Sequence, residues 1–142
     1  MKFLKKLLMP VMVSGLMLTS CGPKEAPAPK YTVASAVDSV AVLISDMVGQ
    51  EITANHDEYG DYIFLYFADS VDTDTLKAIT TYYFIPEDFT TDMEWTSDFF
   101  DDGTPVDYID YVYDSKVGLE YCVFDDEGVY FQVVGFDATA NA

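Results

Sequence analysis

The stretch "GLEYCVFDDEGVYFQVVGFD", residues 118–137, decides the fold. Two runs rich in aromatic and β-branched residues, 118–125 and 129–137, flank Asp126, Glu127 and Gly128. An Asp/Gly-rich turn between alternating apolar runs is the local signature of a β-hairpin. Working back along the chain, "VDYIDYVYD" (106–114) has the same composition, and "MEWTSDFF" (93–100) reaches it through "DDGTP". Further back, "DYIFLYFAD" (61–69) and "KAITTYYFIP" (77–86) are joined by the polar loop "DSVDTDT". Residues 76–84 have a competing reading as a helix begun by Asp74, with Leu76, Ile79 and Tyr83 on one face. Thr80, Thr81, Tyr82, Tyr83, Phe84 and Ile85 are all β-formers, and they favour a strand there. Residues 51–55 carry a faint signal of one more short strand.

Ahead of the strands, Val33, Val37, Val40, Ile44 and Met47 recur every three or four residues, with Asp38, Ser39, Ser45 and Asp46 between them. That is one amphipathic helix, capped by Thr32 and stopped at Gly49. Its valines lower its intrinsic propensity, so it needs a tertiary surface to lie on. The expected fold class is α+β: one N-terminal amphipathic helix packed on an antiparallel β-meander of about five to seven strands. Ile63, Leu65 and Phe67 point one way in their strand and Tyr62, Phe64 and Tyr66 the other, so both faces are apolar or aromatic. Either the sheet curls toward a barrel, or an aromatic face is left for something else to cover.

At 142 residues the chain has room for one domain. Lys2, Lys5 and Lys6 precede an apolar run over 7–18, the arrangement of an export signal. Twelve residues rise roughly 18 Å, short of the ~30 Å hydrocarbon core of a bilayer. The run leads into Leu18-Thr19-Ser20-Cys21. This string resembles the lipobox of bacterial lipoproteins: an aliphatic residue, two small residues, then the cysteine. The resemblance implies a signal peptide over 1–20, cleavage before Cys21, and acylation of Cys21 as the membrane anchor. It covers the first 21 residues and says nothing of the rest. Two or three acyl chains make a stable anchor where one holds only marginally. The segment "GPKEAPAPK" (22–30) then reads as an extended Pro/Ala tether, and 31–142 as a single acidic domain. Gly22 after the cysteine resembles the outer-membrane-directed type of lipoprotein.

Beyond Cys21 stand four lysines, Lys24, Lys30, Lys77 and Lys116, against 25 acidic residues, a net charge of −21, and the chain has no arginine. Such a surface repels phosphate backbones and lacks the guanidinium fork suited to anions. Nucleic acid and phosphorylated substrates are therefore disfavoured, and no nucleic-acid partner is expected, while cations, basic proteins and neutral glycans remain open.

Eleven tyrosines and ten phenylalanines are present. Strand aromatics are ordinarily cross-strand pairs and core filling. The sharper reading makes Tyr62, Tyr66, Tyr83, Tyr111 and Tyr113 an exposed platform for a partner, a sugar ring or a second copy of the chain. Asp69, Asp72 and Asp74 share one loop, Asp98, Asp101 and Asp102 surround a turn, and Asp125, Asp126 and Glu127 occupy another. Spaced aspartates can supply oxygens to calcium, with Asp69, Asp72 and Asp74 the candidate ligands. No loop completes an EF-hand, and aspartate is in any case favoured in turns. His56, the only histidine, sits beside Asp57 and Glu58 and is the candidate general base of a small hydrolase. No nucleophile elbow, zinc helix or phosphate-cradling loop occurs. Cys122, flanked by apolar residues, reads as a buried hydrophobe rather than a nucleophile. The expectation is a lipid-anchored, non-catalytic binding or accessory module of the cell envelope. A carboxylate–His56 hydrolase and a calcium-dependent binder are the alternatives.

Overall fold

A computed structural model of the protein describes residues 29–141. The expected export signal, the expected lipobox with Cys21 and most of the expected tether lie outside the described residues. In chain order the elements are α1 (Val33–Val48), β1 (Asn55–Asp57), β2 (Gly60–Ala68), α2 (Thr73–Tyr83), β3 (Thr96–Phe99), β4 (Pro105–Tyr113), β5 (Val117–Asp125), β6 (Val129–Asp137) and a closing 3-10 turn at Ala138–Asn141. The fold is α+β, with two helices and a six-stranded antiparallel sheet ordered β1-β2-β6-β5-β4-β3. The sheet ends in β1 on one side and β3 on the other, so it does not close, and the barrel alternative falls. No helix among the described residues is long and apolar enough to cross a membrane.

Helix α1 lies between the Thr32 cap and the Gly49 stop. Thr32 Oγ1 accepts from the Ser35 amide at 3.0 Å while the Ser35 hydroxyl accepts from the Thr32 amide at 2.9 Å, a reciprocal capping box. Gly49 takes the left-handed conformation (φ 75°) that ends a helix without a Cβ penalty. Val37, Val40 and Ile44 are wholly buried. The helix crosses β6 where Gly135 stands, and a Cβ there would come within 2.7 Å of both Val33 and Val37. That position needs a glycine because the helix lies so close to the strand.

Since successive strand residues face opposite ways, Gly135 fixes which residues of the sheet lie under the helices. Ile63 of β2, Phe131 and Val133 of β6, Leu119, Tyr121 and Val123 of β5, and Ile109 and Tyr111 of β4 share this helix face and one core. Their neighbours in sequence make the far face, where Phe100, Val106, Tyr108, Cys122 and Phe124 form a second, smaller cluster.

The segment expected as a strand over 77–86 is helix α2. Asp72, not Asp74, caps it: the Asp72 carboxylate accepts from the Thr75 amide at 2.7 Å. Leu76, Thr80 and then Phe84 are buried against the sheet, and the buried Tyr121 hydroxyl donates to the Phe84 carbonyl at 2.7 Å. Thr80 satisfies its own hydroxyl by donating to the Leu76 carbonyl. The β-forming tyrosines that suggested a strand, Tyr82 and Tyr83, stay largely in water. Burial of three residues on a tertiary surface outweighs local propensity, which amounts to tenths of a kcal/mol per residue. The hairpin expected between 61–69 and 77–86 is absent as a result. β2 pairs instead with the final strand, from Tyr62 opposite Val134 to Tyr66 opposite Tyr130. The short strand expected over 51–55 falls later, as β1.

Candidate functional site

Chain direction in an antiparallel sheet sorts the turns to its two ends. The last tether residues are pinned at one end. Lys30 Nζ bonds Glu87 and Asp88 at 2.8 Å each, and the Asp88 bond, then the Glu87 bond, raises its pKa. The Tyr31 hydroxyl donates to the Glu87 carbonyl, while its ring packs edge-on to Phe89 and to Tyr113 at the close of β4. The chain therefore enters the domain where β4 ends and β5 begins.

At the opposite end the three acidic segments come together. In the sheet order β2-β6-β5-β4-β3, the turn after β2 carries Asp69 and Asp72, with Asp74 on the first turn of α2. The β5–β6 turn carries Asp125, Asp126 and Glu127. The β3–β4 turn carries Asp101 and Asp102, with Asp98 just before it. Nine carboxylates far apart in sequence thus line one rim. Several are committed to the backbone: Asp72 to the Thr75 amide, Asp102 to the Thr104 amide and Asp125 to the Gly128 amide. The Thr75 amide bond lowers the Asp72 pKa. Asp74 stands 3.6 Å from Lys77 Nζ. Among the described residues no three His, Cys, Asp or Glu side chains are placed to hold a metal ion. Asp72 caps α2, while Asp69 and Asp74 stand beside it on the rim.

Next to this rim, on the far face, runs an aromatic strip. Tyr66 and Tyr130 rings lie 4.7 Å apart, Phe64 and Tyr130 5.5 Å, and Tyr130 stacks on Phe124 at 5.1 Å and 7°. Phe124 meets Phe100 edge-on at 4.8 Å. Tyr66 is 55 % exposed, and its hydroxyl donates to the Glu127 carbonyl, tying the strip to the rim. Gly128, at φ 127°, leaves room for the Tyr66 ring, which a Cβ would enter.

The five tyrosines of the expected platform do not share one surface. Tyr62 and Tyr66 are on the far face, Tyr83 is on α2, and Tyr111 and Tyr113 face the helices. Tyr111 is buried edge-on against Tyr121, and burial raises its pKa; Tyr113 packs on Tyr31 and Phe89. Phe64, Phe124 and Tyr130 take the places beside Tyr66. Tyr130 and Phe124 are not apparent from sequence as its neighbours, because the pairing of β2 with β6 spans most of the domain.

His56 bridges two elements. Its Nδ1 lies 2.6 Å from Asp61 of β2 and its Nε2 2.8 Å from Asp38 of α1. Two carboxylates on the two nitrogens favour the imidazolium, which donates from both, and the pKa rises, first through Asp61 and then Asp38. Both ring nitrogens of His56 are thereby engaged by carboxylates from two different elements. Cys122 is buried, and its pKa is pushed up by burial and then by the charges of Glu120 and Asp110. A thiol in that setting is a poor nucleophile.

Comparison with family models, with curated proteins and with solved structures returns no match, so the rim and strip are read from their own geometry.

Proposed function

We propose that the chain is a bacterial envelope lipoprotein, acylated at Cys21 and held to the outer membrane by its 22–30 tether. Its domain is a non-catalytic binding module. The observation that carries the binding reading is the convergence of three acidic turns with the Phe64–Tyr66–Tyr130–Phe124 strip, at the end of the sheet opposite the tether. A tether pinned by Lys30 and Tyr31 leaves this rim pointing away from the lipid. Its partner is a basic protein surface with flat apolar groups, since anionic and phosphorylated ligands are repelled.

Two experiments test the reading. Cells fed labelled palmitate incorporate it into the wild type and not into Cys21→Ala; label in the variant, or none in either, rejects the anchor. A photo-crosslinking residue at Tyr66 captures a partner in intact cells, while the same residue at Tyr82, 80 % exposed on α2, does not. Equal capture from both positions rejects the rim and strip as the binding surface.

A further inference from the structure

The two edges of the sheet are finished differently. On the β4 side, β3 pairs with 105–108. Further along, Thr90 and Val112 exchange backbone bonds of 3.0 and 2.8 Å, and the Thr91 hydroxyl donates to the Asp110 carbonyl. β3 itself is four residues long and carries Asp98. Short strands and charges are how exposed edges are ordinarily blunted. The β2 side has no such protection. β1 covers only Gly60, Asp61 and Tyr62. Ile52, which a longer β1 would set opposite Leu65, instead donates its amide to the Ser45 hydroxyl of α1 at 2.8 Å. Among the described residues no strand therefore lies on the outer side of residues 63–67. That stretch holds no charge, proline or glycine. Every second residue of it directs its N–H and C=O outward. Both sheet faces beside this edge are apolar, with Leu65 and Phe67 partly buried on the helix face and Phe64 and Tyr66 in the far-face strip.

An unguarded strand edge is a template for one more strand, and charge selects its occupant. β2 runs toward the rim, and the turn after it carries Asp69 and Asp72. A second copy would bring the same carboxylates against them. We propose that residues 63–67 accept an extended segment of a partner protein as a strand antiparallel to β2, led by lysines or arginines. The antiparallel direction lays that leading end at the rim and continues the line of β1. Main-chain hydrogen bonds hold the segment, alternate apolar side chains extend both sheet faces, and the basic residues fix its direction. This rests on the binding-module reading and states how the partner is held.

The test uses the lipidated protein in detergent and a labelled peptide of two lysines followed by alternating valine and threonine. It binds at least tenfold more tightly than the same peptide N-methylated at two successive central residues, which blocks both of its edges. It also binds several-fold more tightly than the peptide with its lysines moved to the trailing end. Hydrogen exchange shows the bound peptide protecting amides within 63–67 and leaving those of β3 unchanged. Equal binding of the parent and N-methylated peptides, or none by either, overturns the proposal. So does the absence of a preference for leading lysines, or of protection within 63–67. A concentration-dependent dimer that protects 63–67 and excludes the peptide overturns it in favour of a second copy. Failure here with Tyr66 crosslinking intact removes strand addition and spares the binding module; loss of both removes both.

Discussion

On the helix face, Leu119, Tyr121, Phe131 and Val133 are completely buried under α1 and α2. One residue along each strand, on the far face, stand Glu120, Cys122 and Gln132, also shielded from water but polar or titratable. The same two strands thus carry an apolar seam on one side and acceptors on the other. The helix face does what a core must do, removing apolar area from water. The far face sets a carboxylate and an amide beside its own smaller cluster of Phe100, Tyr108, Cys122 and Phe124, so its interior is mixed where that of the helix face is apolar.

Substitutions separate the two faces most sharply where packing is tightest. Phe131→Ala, which removes a ring packed on Phe84 and Tyr121, destabilises by ~3–5 kcal/mol in denaturant titration; a loss under 1 kcal/mol would mean the helix face is not the stabilising core. Gly135→Ala comes next, driving a methyl into Val33 and Val37. Overpacking of this kind costs about 1–3 kcal/mol, read as a lower denaturant midpoint at unchanged slope.

On the far face the sign reverses. Gln132→Met keeps the volume and removes the orphaned acceptor, so stability rises by about 1 kcal/mol; a destabilised variant would show that the amide is structural.

The smallest effect belongs to His56. Its folded pKa is raised above the unfolded value near 6.5. The contribution is therefore complete below about pH 6.5 and fades as pH climbs through the folded pKa. With the side chain 39 % exposed, screening holds it under ~1 kcal/mol. His56→Gln flattens the pH dependence of the melting temperature across pH 6–9; an unchanged profile would show that the Asp38–His56–Asp61 bridge carries no stability.

Much of this arrangement is legible in the sequence, and the parts that are not share one cause. Thr32 and Gly49 mark α1 because caps act within a turn of the helix. The strands β4 to β6 are marked by the local chemistry of turns such as Asp126-Glu127-Gly128. Residues 77–85 read as a strand because the competing influence, burial of Leu76, Thr80 and Phe84 under Tyr121, is supplied by residues some 40 positions away. The acidic segments are plain in the sequence, but their convergence on one rim depends on β2 pairing with β6. Likewise Glu120 and Gln132 are visible as polar breaks in "GLEYCVFD" and "VYFQVVGFD". Their adjacency to Asp110 follows only from strand register.

The pinning of Lys30 and Tyr31 beside the end of β4 has a mechanical meaning. A partner pulling on the acidic rim draws against an attachment at the other end of the same strands, so tension runs along their length. Inter-strand hydrogen bonds lie across that direction, and a lengthwise load strains many of them at once instead of opening them one by one. If Cys21 is the anchor proposed above, the nine-residue strands of β2, β4, β5 and β6 share that load.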